Sequence, residues 1–195
     1  TARLPYGTKS GATVARYALQ TTRVLVDIGV KLLVVACNTA SSVALPGLAA
    51  AYPGLPVIGV IEPGARAACA HAPRGRIAVI ATGGTVRGAS YQRAILGLLP
   101  QATLATRPAQ LFVSLAEEGW VDGDIVESIA RRYLVPLMAE FPEGGPDCLV
   151  LGCTHFPVLA SAIRAVLPPT VALTASAATT AASVKEELCA RGLLK

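Results

Sequence analysis

One pattern occurs twice in this chain, first as Leu32-Leu33-Val34-Val35-Ala36-Cys37-Asn38-Thr39-Ala40 and later as Cys148-Leu149-Val150-Leu151-Gly152-Cys153-Thr154-His155. Each copy is an apolar run of strand length that ends in a cysteine and polar residues, and a helical pattern follows it. The wide separation of the two copies predicts one such unit in each of two similar lobes. We therefore expect Cys37 and Cys153 to face each other.

Strand-like and helix-like segments alternate along the whole chain. This alternation predicts an α/β fold with two pseudo-symmetric lobes, each a mostly parallel sheet flanked by helices.

The sequence also gives three predictions about individual helices. Pro46 is expected to kink the helix that starts near Thr39 or to end its first part. One helix is expected from the Gly83-Gly84 turn to about Leu99, and another over residues 157–166.

The composition is that of a folded protein, because 53% of the 195 residues are hydrophobic and only 15% are charged. No apolar run approaches the roughly 20 residues that span a bilayer, and the N-terminus has no signal-peptide pattern. We therefore expect a soluble cytoplasmic protein without a membrane partner.

The net charge of +5 comes from scattered basic residues, of which only Arg131 and Arg132 are adjacent. Aromatic residues are few and no basic stripe is visible, so nucleic acid is not an expected partner. A positive bias of this kind suits a small anionic substrate.

The five cysteines are an odd number without CxxC spacing, which argues against a disulfide framework. We expect Cys69, Cys148 and Cys189 to be buried, inert thiols. Cys37 and Cys153 differ because each follows a predicted parallel strand, where α/β folds bind ligands. A helix N-terminus at that place is expected to lower the pKa of a thiol below its reference of about 8.5 and to hold a substrate carboxylate.

A thiolate in a cleft can be a nucleophile, a redox centre, a metal ligand or a general base. Spacing disfavours a metal site, because the chain has two histidines, and the Cys-x-His pairs that they form, Cys69/His71 and Cys153/His155, are far apart in the sequence. Redox chemistry is disfavoured because Cys148, within the strand that leads to Cys153, is predicted to face the core. For Cys37 and Cys153, a role as nucleophile and a role as general base both stay open.

Several motifs resemble the bacterial glutamate racemases, in order and over nearly the whole chain. They are Ala2-Arg3-Leu4-Pro5-Tyr6-Gly7, Val34-Val35-Ala36-Cys37-Asn38-Thr39-Ala40, Pro56-Val57-Ile58-Gly59-Val60-Ile61-Glu62-Pro63-Gly64, Ala89-Ser90-Tyr91-Gln92, Leu111-Phe112-Val113, Glu117-Glu118-Gly119-Trp120 and Leu151-Gly152-Cys153-Thr154-His155-Phe156-Pro157. The resemblance implies a two-lobed isomerase that interconverts L- and D-glutamate without cofactor or metal. It also implies that the product is D-glutamate for peptidoglycan synthesis, hence a role in cell wall biogenesis and cell shape.

The resemblance further implies roles for individual residues. Cys37 and Cys153 are the acid/base pair on the two faces of the α-carbon, which fits the physical demand that inversion by proton exchange needs a group on each face. His155 and Glu117 assist proton transfer. The residues expected to bind glutamate are Tyr6, Gly7, Asn38, Thr39, Thr154 and His155, and Thr85 in the turn after a predicted strand is added as a substrate contact.

Three departures from the family pattern accompany the resemblance. The family's N-terminal Asp-Ser segment has no counterpart here, Ala175 stands where an Asp is usual, and Ala109-Gln110 replaces a Cys-Pro pair. We expect a first lobe of residues 1–64 plus 171–195, incomplete at its N-terminus, a second lobe of residues 65–170, and an active site in the cleft between them. A homodimer is a candidate assembly. The alternatives are a catalytically impaired binding or regulatory relative and a thiol-redox protein.

Overall fold

A computed structural model of the chain describes residues 3–142 and 144–194. Thr1, Ala2 and Lys195, which belong to the predicted first lobe, and Glu143, which belongs to the predicted second lobe, lie outside the described residues. Ala2 is also the first residue of the first matching motif.

The chain alternates between helices and strands, as the sequence predicted. In the described part, the strands are β1 (Leu33–Val35), β2 (Val57–Gly59), β3 (Arg76–Ala81), β4 (Thr103–Pro108), β5 (Cys148–Gly152) and β6 (Ala172–Ala175). The helices are α1 (Gly11–Asp27), α2 (Asn38–Ala51), α3 (Ile61–Ala70), α4 (Gly83–Arg87), α5 (Ser90–Leu98), α6 (Leu111–Glu117), α7 (Gly123–Met138), α8 (Ala160–Val166) and α9 (Ser176–Ala190).

Two parallel sheets form the framework. The smaller sheet pairs β1 with β2, and the larger has the strand order β4-β3-β5-β6. The α/β prediction with parallel sheets is thereby confirmed. In the larger sheet Ala81 is opposite Gly152, so β3 and β5 end at the same level, and Thr82 and Cys153 leave the sheet side by side.

The larger sheet is covered on both faces, which explains why its central strands are apolar throughout. Leu149 and Leu151 of β5 belong to a core formed with α6, α7 and α8. Cys148 and Val150 point to the other face, into a core formed with α3 and α5. A smaller core around Leu33 joins β1 to α1 and α2.

The ends of the helices follow from local chemistry. Ser10 caps α1, since its hydroxyl accepts a hydrogen bond from the backbone N–H of Thr13 at 3.2 Å. Thr82 caps α4 in the same way through Thr85. Among helices of the described residues, none is long and apolar enough to cross a membrane.

The prediction that Pro46 kinks or ends its helix is wrong about the ending, because α2 continues to Ala51. A proline lacks the N–H that would bond the carbonyl four residues earlier. That carbonyl belongs to Ser42, and it accepts a hydrogen bond from the Ser90 hydroxyl at 3.2 Å instead. A side chain from another helix therefore replaces the bond that Pro46 cannot make.

Two other local predictions need correction. The single helix predicted up to Leu99 is divided into α4 and α5, because Ala89 adopts a left-handed conformation with φ of 49°. The helix predicted over residues 157–166 begins as a short 3-10 helix, Phe156–Leu159, before α8.

The pairing of β6 also differs from the predicted lobes. Residues 171–195 were placed with the first lobe, but β6 is hydrogen-bonded to β5 and belongs to the larger sheet. The helix α9, which follows β6, packs against α3 and also against β2 of the smaller sheet. The lobe boundaries and the homodimer stay predictions.

Candidate active site

A cavity of about 310 Å³ lies where the carboxyl end of β1 meets those of β3 and β5. Every predicted site residue except Thr85 lines it, namely Tyr6, Gly7, Cys37, Asn38, Thr39, Glu117, Cys153, Thr154 and His155. Residues far apart in sequence are therefore brought to one place, at the edge of the sheets where parallel α/β folds bind ligands.

The turn from β1 into α2 positions Cys37. The cysteine is the residue before the helix, and the Ser41 hydroxyl holds the turn by donating to the Val35 carbonyl at 2.7 Å. The same hydroxyl accepts a hydrogen bond from the backbone N–H of Val60 at 3.3 Å, at the end of the neighbouring strand. These bonds tie Cys37 to the smaller sheet.

Asn38 presents a donor to the cavity. Its side chain is buried, and its Oδ1 accepts a hydrogen bond from the Tyr91 hydroxyl at 2.8 Å. Burial and, to a smaller degree, the nearby Cys153 raise the pKa of Tyr91, so this hydroxyl stays protonated and donates. In the described part of the chain, Asn38 Nδ2 is buried without a hydrogen-bond partner.

Three side chains form a chain of contacts on the opposite wall. Cys153 Sγ lies 3.6 Å from His155 Nδ1, and His155 Nε2 lies 2.5 Å from Glu117 Oε1. Glu117 fixes the imidazole with Nε2 as the donor, which leaves Nδ1 to face the thiol. The predicted association of these three residues is present in the structure.

The expectation of a lowered pKa is wrong for Cys153. Its pKa is raised to about 11, mainly by burial, and a charge at Cys37 acts in the same direction. Hydrogen bonds from the backbone of His155 and from Thr154 act in the opposite direction without outweighing burial. Cys37 and Cys153 line the same cavity, and the prediction that they face each other across a substrate stays a prediction.

Thr85 is not at the cavity surface, contrary to its assignment as a substrate contact. It is 1% exposed and lies behind Thr82 and Thr39. The three hydroxyls are mutually hydrogen-bonded, with Oγ1 separations of 2.8 Å for Thr39–Thr82, 3.3 Å for Thr39–Thr85 and 3.1 Å for Thr82–Thr85. Thr85 therefore holds Thr39 and Thr82, which do line the cavity.

Sequence reasoning missed other lining residues, among them Thr82, Gln110, Val113 and Ser114. Thr82 carries the same signal as the two cysteines, because it directly follows a strand. Gln110, Val113, Ser114 and Glu117 have the spacing of one helix face. The sequence alone did not show which face of α6 meets the cavity.

Gly7 lets the N-terminal loop close over the cavity. A Cβ at this position would lie 2.6 Å from Thr82 Cβ, a distance that real side chains do not reach. The Gly7 carbonyl also accepts a hydrogen bond from the backbone N–H of Gly84 at 2.8 Å. The loop thus packs directly on the start of α4.

The three other cysteines lie outside the cavity. Cys148 is buried as predicted, and burial raises the pKa of its thiol to about 12. The prediction of burial is wrong for Cys189, which is exposed near the end of α9, and Cys69 is only partly buried. No group of three or more His, Cys, Asp or Glu side chains within residues 3–142 and 144–194 is arranged to hold a metal ion.

Together, the fold and the site define an α/β protein with a cavity that is lined by two cysteines, Cys37 and Cys153. Comparison with known proteins identifies its family. The sequence pattern described as Asp/Glu/Hydantoin racemase matches residues 2–182, so the chain belongs to the Asp/Glu/hydantoin racemase family. Members of this family are isomerases, and the family resemblance seen in the sequence motifs is confirmed.

Individual relatives agree with this family. A glutamate racemase of Geobacter metallireducens is 49% identical over 195 residues, which cover 100% of this chain and 70% of that protein. A crystal structure of a glutamate racemase from Bacillus anthracis matches with a TM-score of 0.92 and 34% identity, covering 100% of this chain and 71% of the other. A glutamate racemase from Francisella tularensis, in complex with D-glutamate, matches with a TM-score of 0.90 and 35% identity over 100% of this chain and 70% of the other.

Proposed function

We propose that this chain interconverts L- and D-glutamate with two thiols, one of which removes the α-proton from one face of the α-carbon while the other delivers its own, solvent-exchangeable proton to the opposite face. The observation that carries the proposal is that Cys37 and Cys153, which follow strands of different sheets, line one cavity. The D-glutamate complex of the Francisella relative supports the choice of substrate. The D-glutamate formed would serve peptidoglycan synthesis.

The chemistry consists of two proton transfers. The thiolate of one cysteine removes the α-proton, and the electron pair of the broken C–H bond stays on the α-carbon as a carbanion. The thiol of the other cysteine then delivers its own proton to the opposite face. The first cysteine ends as a thiol and the second as a thiolate. In the reverse reaction the second cysteine is therefore the base and the first is the acid.

The raised pKa of Cys153 suits its part in this cycle. A thiol with a pKa of about 11 keeps its proton at neutral pH and is therefore ready to act as the acid. When Cys153 must act as the base, its proton can pass to His155 Nδ1 at 3.6 Å. Glu117 acts as a positioning residue, because it holds His155 in the tautomer that accepts this proton.

Neutral donors hold the substrate and stabilise the carbanion. Asn38 Nδ2 is a buried donor that lacks a partner among the described residues, and its orientation is fixed by Tyr91. A substrate carboxylate satisfies such a group, whose burial would otherwise cost about 1–3 kcal/mol. Donors fixed in advance inside a dry cavity are the arrangement that stabilises developing negative charge most effectively.

The structure also bears on the thiol-redox alternative. A resolving cysteine would have to reach Cys153, and Cys148 is the nearest cysteine in sequence. The two thiols belong to cores on opposite faces of the larger sheet. Cys148 is therefore not placed to form a disulfide with Cys153.

The proposal is tested by NMR in deuterated buffer, by following the conversion of L-glutamate into α-deuterated D-glutamate and the reverse conversion. We expect both conversions with the unaltered chain and a loss of about 100-fold or more in Cys37→Ala and in Cys153→Ala, because inversion needs a group on each face and general acid–base groups contribute on this scale. Cys189→Ala is the matched control, since this exposed cysteine lies outside the cavity, and it should convert glutamate at the normal rate. Conversion that survives both cavity substitutions, or is absent from the unaltered chain, would reject two-base racemisation.

A further inference from the structure

Gln110 has a side-chain amide whose oxygen accepts no hydrogen bond from the described residues. It lines the cavity just before α6. Among the described residues, its Oε1 is buried without a hydrogen-bond partner. A buried polar atom without a partner costs about 1–3 kcal/mol, so this amide is expected to meet a ligand.

The neighbours of Gln110 explain why the protein leaves its amide unpaired. A Cβ added at Gly7 would lie 2.9 Å from Gln110 Oε1, so the amide packs against the N-terminal loop. Thr82 is the adjacent hydroxyl, but it is already hydrogen-bonded to Thr39 and Thr85. The amide oxygen therefore has no partner among the described residues, and Gln110 lines the cavity in which a ligand would supply one.

The face of α6 shows which part of a substrate reaches Gln110. Gln110 and Glu117 are seven positions apart on the same cavity-lining face, which is about 10 Å along a helix. Glu117 marks the reacting end, because it contacts His155 and through it Cys153. Gln110 lies at the opposite end, toward which the side chain of an α-amino acid would extend.

The charges in the cavity point to the same assignment. No Lys or Arg is among the described residues that line it, so an anionic ligand must be held by neutral donors. Glu117 and Glu118 lie at the reacting end and would repel a second carboxylate there. The second carboxylate is therefore favoured at the Gln110 end, and rotation of the amide about its last bond presents Nε2–H₂ to it.

We propose that Gln110 determines specificity by donating a hydrogen bond from its side-chain amide to the distal carboxylate of the substrate. This inference rests on the proposed function, because it takes an α-amino dicarboxylic acid as the ligand. It adds a residue that neither the strand-end pattern nor the family motifs pointed to.

The test compares D-glutamate with D-glutamine, which has the same shape but a neutral distal amide, by isothermal titration calorimetry. Gln110→Glu replaces the donor by a carboxylate in an almost identical shape. We expect this substitution to weaken D-glutamate binding about 10-fold or more and D-glutamine binding less than about 3-fold. The introduced carboxylate repels the distal carboxylate of D-glutamate but not the neutral amide of D-glutamine. Gln110→Leu should weaken D-glutamate binding about 5-fold or more. Gln20→Glu makes the same change on the exposed side of α1 and should leave both affinities unchanged.

Each result separates this inference from the proposed function. Retained D-glutamine binding in Gln110→Glu shows that the cavity is still folded, so a selective loss of D-glutamate binding supports the inference. An unchanged ratio of the two affinities overturns the role of Gln110, even if the unaltered chain exchanges the α-proton. If Gln110→Glu selectively loses D-glutamate binding but the unaltered chain does not exchange the α-proton of glutamate, the role of Gln110 is kept and racemisation is rejected. An unaltered chain that does not bind glutamate overturns both.

Discussion

Glu117 Oε1 lies 2.5 Å from Nε2 of His155, and the other ring nitrogen of this histidine faces Cys153 Sγ at 3.6 Å. One carboxylate thus fixes the tautomer of the group that exchanges a proton with a thiol. Glu118, the next residue, also lines the cavity but makes no hydrogen bond to His155 within the described part of the chain. The two neighbouring acids can therefore be distinguished by experiment.

Glu117→Gln should lower kcat for racemisation about 10- to 100-fold, because outer partners of a reacting histidine contribute on this scale. The difference in kcat between Glu117→Gln and the unaltered chain should become smaller as pH rises toward 11, since Cys153 then ionises without help from His155. The measurement is the pH profile of kcat by circular dichroism. Glu118→Gln is the comparison, and an equal loss in both variants at every pH would reject the positioning role.

Gly7→Ala is expected to abolish glutamate binding, because the added methyl group would lie 2.6 Å from Thr82 Cβ and displace the loop from the cavity. Gly47→Ala is the matched control, since a Cβ there meets nothing within 4 Å inside α2. Gly47→Ala should leave glutamate binding unchanged and raise the free energy of unfolding by about 0.5–1 kcal/mol. Calorimetric binding and urea unfolding measure the two effects, and normal binding by Gly7→Ala would contradict the close packing of the loop.

Buried thiols should make the fold sensitive to alkali. Burial raises the pKa of Cys148 to about 12 and that of Cys153 to about 11, from an ordinary value of 9.0. Between pH 9 and these values the unfolded chain releases protons that the folded chain keeps. The contribution of each buried thiol to the free energy of unfolding is therefore fully present below pH 9 and is lost as pH rises through the pKa of the folded state. For each such group the free energy of unfolding should fall by up to about 1.4 kcal/mol per pH unit.

Urea unfolding under reducing conditions at pH 8 and pH 10.5 measures this slope. Cys148→Ala should make the slope shallower, because it removes one of the buried thiols. The exposed Cys189 has no such role, so Cys189→Ala should leave the slope unchanged. An identical slope in all three proteins would show that burial of Cys148 does not account for the pH dependence.

Asp147 anchors the start of β5 to the turn before β3. Burial raises its pKa, but backbone hydrogen bonds from Arg76 and Arg74 and the Arg74 guanidinium lower it more, so the pKa is depressed overall. Asp147→Asn should lower the free energy of unfolding at pH 7 by about 1–3 kcal/mol. The difference should shrink as pH falls through the depressed pKa, because the native carboxylate is then protonated as well.

Urea unfolding of Asp147→Asn at pH 7 and at pH 3 provides the comparison. Asp27→Asn on the exposed end of α1 is the control, and it should change stability by no more than about 0.5 kcal/mol. A difference between Asp147→Asn and the unaltered chain that is the same at both pH values would argue against the depressed pKa.

The sequence was sufficient for the features that depend on local pattern. Alternating apolar runs predicted the parallel sheets, and the position of Cys37 and Cys153 after their strands predicted that they meet. The parallel sheets are present, and the two cysteines, each at the carboxyl end of a strand in a different sheet, line one cavity. Glu117 and His155, taken from the family motifs, also lie where they were expected.

Features that depend on long-range packing were not predictable in the same way. Thr82 reaches the cavity because Ala81 is level with Gly152 in the sheet register. The pKa of Cys153 has the opposite direction from the prediction because the surrounding elements exclude water from the thiol. Pro46 stays within α2 because Ser90, distant in sequence, supplies the missing hydrogen bond.

The central claim is that protons are exchanged at both faces of the α-carbon by two separate thiols. The most direct measurement is the position of the deuterium label after brief incubation of L-glutamate with the unaltered chain in deuterated water. Two-base transfer predicts that the D-glutamate formed carries deuterium at the α-carbon, whereas the recovered L-glutamate still carries protium. D-glutamate that retains the protium of the starting L-glutamate would contradict this account, because a single base would then have carried the same proton to both faces.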